Sequence, residues 1–179
     1  MVANVLQVGA WMSPNLNDGE ETLILPLPLY HVFALTGALS FFAKGAQAVL
    51  IPNPRDLPAF LKVLRQTRFT AIIGVNTLFR ALLDAPGFAN VNLRSLKLAV
   101  AGGMAVQQVV AHRWKERTGV PLVEGYGLTE SAPVAIANPV TIPEWSGQIG
   151  VPLPSTEAAI LDDDGSPLGL GEVGEIGLR

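Results

Sequence analysis

The chain has 179 residues, with 12 Lys+Arg against 15 Asp+Glu and a formal net charge of −3. Hydrophobic residues make up 49% and charged residues 15%, which excludes a disordered chain, because so apolar a sequence buries enough surface to offset its ordering entropy. No basic run exists and the pI is about 5.3, which argues against nucleic acid as a partner. There is no cysteine, so a disulfide scaffold and a Cys-based metal site are both ruled out. His31 and His112 are the only histidines, too few and too far apart for a histidine zinc centre.

The longest uncharged apolar stretch, Val32 to Ala43, is too short to span a bilayer. No Lys or Arg precedes Lys44, so the basic region of a signal peptide is missing. The expected location is cytoplasmic, with peripheral contact at the inner face of a membrane left open by composition. The length fits one domain, or one domain with a small appendage.

In chain order, Met1 to Met12 reads as the tail of an amphipathic helix with Val2, Val5, Leu6 and Gly9 on its apolar face. Ser13 to Gly19 is dense in turn residues and ends it. Glu21 to Leu25 reads as a short buried strand stopped by Pro26 and Pro28. A small-residue helix follows from Phe33 to Ala43, closed by Gly45, and Gln47 to Ile51 is a second strand. Leu57 to Thr67 is helical, Phe69 to Val75 a strand, and Asn76 to Leu83 a helix with Asn76 as its cap. Lys97 to Ala101 is a strand running into Gly102-Gly103. The next helix carries Val106, Val109, Val110, Trp114 and Arg117 on one face, leaves His112 on the polar face, and ends at Gly119. Pro121 to Glu124 is a strand meeting Gly125-Tyr126-Gly127. Repeated alternation of strand and helix with short connections predicts an α/β fold, a largely parallel sheet with flanking helices.

Ala132 to Pro154 is punctuated by prolines and glycines and reads as mostly irregular. Glu157 to Leu161 and Glu172 to Leu178 then form short C-terminal β-strands around the Asp162-Asp163-Asp164-Gly165 turn. Three aspartates in a row do not give the alternating spacing of a calcium loop. The expected division is 1–154 for the central α/β part and 155–179 for the start of a β-rich subdomain. Both ends read as cut inside an element, which would leave sheet edges open to pairing with a second copy.

Three segments carry chemistry. Val123 to Ser131 lies where a strand ends, the place where open α/β sheets bind ligands. Its glycines allow close backbone approach, Tyr126 offers a flat face, Thr129 a hydroxyl for a phosphate oxygen, and Glu130 a hard carboxylate for Mg²⁺. A glycine-bounded turn with a capping Thr and a dipole-matched Glu fits the same composition. Gly102-Gly103 ends another strand and opens a helix, suited either to presenting N–H groups to an anion or to close strand–helix packing. No Gly-Lys-Ser/Thr follows, so it is not a Walker loop. Pro26 to Phe33 places His31 beside Tyr30 and Phe33, as a structural imidazole or a functional one.

Taken together, Tyr126-Gly-Leu-Thr-Glu130 and Pro28-Leu-Tyr-His31 resemble the signatures of the AMP-forming acyl-activating enzymes. Asn53 to Asp56, Gly74 to Phe79, Gly102 to Val110 and Val151 to Glu157 resemble bacterial long-chain-fatty-acid–CoA ligases in particular. The resemblance covers practically the whole chain, and implies part of the N-terminal domain of an acyl-CoA synthetase. It implies ATP and coenzyme A as substrates, Mg²⁺ as cofactor and a long-chain fatty acid as the acid. It implies Thr129 and Glu130 as catalytic residues, with Glu130 holding the metal. Gly102, Gly103, Glu124, Gly125, Tyr126, Gly127 and Thr129 would bind the adenylate, and His31 with Val32 would border the acyl group. The family's phosphate loop, its ribose-binding Asp and its mobile C-terminal domain with a catalytic Lys are not in the sequence, so the isolated chain is expected to be inactive. The alternatives are a non-catalytic binding or self-association module, and an adenylating enzyme for another carboxylic acid.

Overall fold

The computed structural model describes residues 1–179. Helix α1 (Val2–Met12) is followed by β1 (Thr22–Leu25), α2 (Val32–Ala43), β2 (Gln47–Leu50), α3 (Leu57–Gln66), β3 (Ala71–Gly74) and α4 (Asn76–Asp84). Then come β4 (Leu98–Ala101), α5 (Gln108–Thr118), β5 (Leu122–Gly127), β6 (Val134–Ala137), β7 (Val151–Pro152), β8 (Ala158–Leu161) and β9 (Glu175–Leu178). Seven strands form one sheet in the order β2-β1-β3-β4-β5-β6-β7, and β8 pairs with β9 in a separate antiparallel ribbon. The first five strands of the large sheet are parallel, and β6 and β7 continue it antiparallel.

Strict alternation along the parallel strands builds a core on each face of the sheet. Ile24, Ile72, Ala99 and Leu122 join a cluster with Phe60, Phe79 and Trp114, residues of α3, α4 and α5. Their neighbours Leu23, Ile73, Leu98 and Val123 face Met12, Ala38 and Phe41, residues of α1 and α2. Trp114 is fully buried against Phe79 (ring centroids 4.8 Å apart) and Phe88 (5.7 Å). The turns behave as predicted where φ is positive: Gly45 (φ +70°) and Gly119 (φ +77°) follow the last turns of α2 and α5.

Several expectations are corrected. Helix α1 buries Asn4 and Met12, half-buries Val5 and Gly9 and leaves Val2 and Leu6 exposed, so only part of the predicted apolar face turns inward. Asn4 is buried because its amide pairs with Val134, donating to the carbonyl (2.7 Å) and accepting from the N–H (3.1 Å). Trp11 Nε1 donates to the Asn138 carbonyl (2.9 Å) and Gln7 Nε2 to the Pro154 carbonyl (2.6 Å), so polar side chains orient α1. Asn76 does not cap α4, whose N-cap is Val75; its Oδ1 instead accepts from the Gln107 N–H at 2.9 Å. Val109 points outward, while Arg117 lies over the Phe88 ring and donates to the carbonyls of Phe88, Ala89 and Val91. The stretch from Ala132 to Pro154 is mostly irregular as expected, but it also contributes two short strands to the sheet, β6 and β7. Strand β5 also runs past Glu124 to Gly127, and β9 starts at Glu175 rather than Glu172.

At the amino ends of the strands most polar groups are paired, Glu21 Oε2 being a buried exception. The buried Glu21 carboxylate meets Lys97 Nζ at 2.7 Å and accepts from the Asn17 N–H at 2.7 Å. Thr70 Oγ1 accepts from the Thr22 N–H, and Asn15 Nδ2 donates to the carbonyls of Lys97 and Val140. Burial pushes the Glu21 carboxyl up, but Lys97, Thr70 and the Asn17 N–H outweigh it and hold it below the ordinary carboxylate range. No helix is long and apolar enough to cross a membrane.

Candidate functional site

Toward their carboxyl ends β3, β4 and β5, with β6, border a cleft of about 350 Å³. Helix α2 leaves β1 on one face of the sheet and α4 leaves β3 on the other, so the chain diverges between two adjacent strands. Such a divergence opens a crevice above the sheet. The inner wall is apolar, with Trp11, Phe33, Phe41, Ile73, Val100 and Val140, and the outer part holds His31, Thr129 and Glu130. Nine of the ten residues singled out in the sequence line it: His31, Val32, Gly102, Gly103, Gly125, Tyr126, Gly127, Thr129 and Glu130.

Each is placed by local structure. His31 is the N-cap of α2, where its Nδ1 accepts from the Phe33 N–H at 3.3 Å. That bond sets the tautomer: the neutral ring carries its proton on Nε2, which is then a donor. Val32 opens α2 and is half-buried. Gly102 ends β4 where a Cβ would stand 3.3 Å from the Phe33 ring and 3.5 Å from the Gly125 carbonyl, so the two strand ends almost touch. Gly103 has φ +76°, a backbone open chiefly to glycine. Tyr126 is half-buried on the tail of β5. Gly127 is required sterically, because a Cβ there would run into the Pro133 carbonyl as β6 comes back alongside.

Thr129 and Glu130 begin a 3-10 turn, Thr129–Ser131, that is exposed to the cleft. The Ser131 hydroxyl fixes the turn by accepting from the Leu128 N–H at 2.9 Å. Ala132 follows with φ +64°, a strained backbone for a residue with a Cβ. None of the five ion pairs of the chain uses Glu130, so its carboxylate is free for a ligand. No cluster of three or more His, Cys, Asp or Glu gathers as a ready-made metal cage.

Glu124 is the exception among the ten. It follows Leu122 onto the α5 side of the sheet, is buried, and does not line the cleft. One carboxylate oxygen accepts from the Val106 N–H at 2.8 Å and the other from Trp145 Nε1 at 2.6 Å. Sequence reasoning missed Trp11, Thr36, Gly37 and Trp145. The first three carry no motif signal, and Trp145 meets Glu124 across 21 residues of chain.

A mostly parallel α/β domain with a glycine-walled crevice at its carboxyl edge has the build of a nucleotide-binding enzyme domain. The chain belongs to the AMP-binding enzyme family, whose model matches residues 1–179. It is 51% identical over 180 residues to the long-chain-fatty-acid–CoA ligase of Escherichia coli O157:H7, a match covering 100% of this chain and 32% of that protein. The ligase of the same description from Haemophilus influenzae Rd is 48% identical over 182 residues, again with 100% and 32% covered. Among solved structures, the anthranilate CoA ligase AuaEII in complex with anthranoyl-AMP superposes with a TM-score of 0.85 at 28% identity, over 98% of this chain and 34% of that one. The chain therefore spans about a third of the length of the relatives it matches.

Proposed function

We propose that this chain supplies the central adenylate-binding part of an AMP-forming long-chain-fatty-acid–CoA ligase. In the first half-reaction a fatty acid carboxylate oxygen bonds to the α-phosphorus of ATP, and the bond to the β-phosphate breaks to release pyrophosphate. In the second, the thiolate of coenzyme A bonds to the acyl carbon, and the bond to AMP breaks to leave the thioester. The observation that carries the reading is the convergence of three separate segments, His31-Val32, Gly102-Gly103 and Gly125 to Glu130, on one cleft, apolar within and polar at its mouth. An acyl-adenylate has the same division, a hydrocarbon chain joined to a charged nucleotide.

In this reading Tyr126 stacks on the adenine, while Gly125 and Gly127 let the backbone approach it. Thr129 donates its hydroxyl to a phosphate oxygen, and His31, with Nε2 as donor, faces the acyl carboxyl region beside Val32. Gly102 and Gly103 line the junction between nucleotide and acyl group. The chemical difficulty is the approach of two anions, and Mg²⁺ when bound offsets the phosphate charge. Glu130 fits that ion, since Mg²⁺ takes one or two carboxylates and fills its remaining positions with phosphate oxygens and water. The two CoA-ligase relatives at 48–51% identity favour a long-chain acid. A second reading keeps the chemistry with an aryl acid, favoured by 33% identity to the feruloyl-CoA synthase of an Amycolatopsis species and by the anthranilate ligase fold.

Calorimetric titration with a non-hydrolysable palmitoyl-AMP analogue tests the proposal. Binding is expected to weaken about tenfold or more in both Tyr126→Ala and Thr129→Ala, equivalent to about 1.4 kcal/mol or more each. Binding that is indifferent to both substitutions overturns the residue roles, and tighter binding of a feruloyl-AMP analogue selects the aryl acid.

A further inference from the structure

The segment from Gly102 to Gln107 forms one lip of the cleft, and its fastening is unusual. Its first residue is tied to the sheet by the Gly102 N–H, which donates to the Gly74 carbonyl at 3.2 Å. Its last two N–H groups go to side chains of other elements: Val106 to the Glu124 carboxylate (2.8 Å) and Gln107 to Asn76 Oδ1 (2.9 Å). Between these pins Gly103, Met104 and Ala105 are exposed, and Gly103 lines the cleft. Glu124 in turn stands immediately before Gly125, Tyr126 and Gly127, the opposite lip. One buried carboxylate thus joins both lips from behind, on the far face of the sheet, and its second oxygen holds Trp145 of the segment between β6 and β7.

We infer that Glu124 is a positioning residue that sets the spacing between the Gly102–Ala105 lip and the Tyr126 lip, and so the fit of the cleft to a nucleotide. This deepens the adenylate reading and rests on it. Glu124 does not touch the ligand; its role needs two acceptor oxygens facing two N–H donors, an arrangement only a carboxylate satisfies. An amide has one acceptor oxygen, so Glu124→Gln must set its NH₂ group against either the Val106 N–H or the Trp145 N–H. The apolar inner wall of the cleft is built on α1, α2 and the opposite face of the sheet, and this carboxylate makes no hydrogen bond to it.

The test measures AMP and a fluorescent long-chain fatty acid separately, on the 179-residue chain, by calorimetry and fluorescence titration. Glu124→Gln is expected to weaken AMP about tenfold while fatty acid affinity stays within about twofold. Adding Trp145→Phe removes the competing donor and lets the amide oxygen turn to Val106, so the double variant is expected to regain at least threefold in AMP affinity over Glu124→Gln. Equal losses for AMP and fatty acid, unchanged AMP affinity in Glu124→Gln, or no recovery in the double variant each overturn the inference. A wild-type chain that binds the fatty acid but no AMP overturns the adenylate reading itself, and this inference with it. Where Glu124→Gln does not fold, amide exchange in the wild type decides: Val106 must exchange more slowly than Met104 and Ala105, and exchange as fast as theirs overturns it.

Discussion

At the amino ends of the parallel strands, Glu21, Lys97, Thr70, Asn15 and the Asn17 N–H pair with one another or with nearby backbone. At the carboxyl ends of the same strands, Gly102, Gly125 and Gly127 stand where side chains would be, and Thr129 and Glu130 face open space. The two ends belong to one sheet, so the difference lies in the residues at the strand termini and in the segments that follow them. One end spends its polar groups on the fold, and the other withholds them. Substitutions of polar side chains should therefore lower stability at the first end and ligand affinity at the second.

The largest break expected is Gly127→Ala. A methyl group there meets the Pro133 carbonyl, so β6 must move away from β5, at a cost of about 2–4 kcal/mol read by urea denaturation. A Gly127→Ala chain as stable as the wild type would show that the β5–β6 approach is soft. Next is Glu21→Gln, expected to cost about 2 kcal/mol at pH 7 by weakening the tie to Lys97 and the Asn17 N–H. Its pH dependence has a definite sign. The carboxyl is held below its ordinary value of 4.5, so its contribution is complete above that pH and is lost as the pH falls through the lower folded value. The stability gap between wild type and Glu21→Gln should accordingly close on acidification below about 4.5, and a gap that widens there contradicts the assignment.

Smaller effects sharpen the contrast. Thr129→Ala should leave the unfolding free energy within about 0.5 kcal/mol of wild type, since the side chain is exposed, while still weakening the acyl-adenylate analogue. His31→Asn separates the two uses of one side chain. Asparagine caps a helix well, so stability should change by less than about 0.5 kcal/mol, yet the Nε2 donor is gone and analogue affinity should drop. A loss of stability without loss of affinity would make His31 a cap and nothing more. The smallest effect expected is Ala132→Gly, where relief of the φ +64° backbone, about 1 kcal/mol, nearly cancels the entropy glycine adds to the unfolded chain.

The sequence was legible where structure is local. Strands β1, β3, β4 and β5 were found because continuous apolar runs end in prolines or glycines, and the cleft residues were found because they sit at those ends. What stayed hidden depends on partners far along the chain. Strand β6 reads as a few small residues between prolines, and only the glycine tail of β5 gives it an edge to pair with. Val2 and Leu6 were placed inward because they are apolar, yet Asn4 takes the buried side once Val134 offers it two hydrogen bonds. Asn76 and Glu124 illustrate the same dependence on distant partners. Each carries a polar group whose partner, Gln107 or Val106, is 31 or 18 residues away.

The anchoring of α1 has a consequence for the order in which the molecule can be assembled. Its polar contacts with Val134, Asn138 and Pro154 close loops of 130, 127 and 147 residues. Loops of that length form slowly, because their closure entropy must be met before any contact repays it. Along the chain the helix precedes every one of these partners, by 127 residues or more. Helix α1 therefore waits for β6 and the segment around Pro154, and the wall that Trp11 gives the cleft is set only once they are in place.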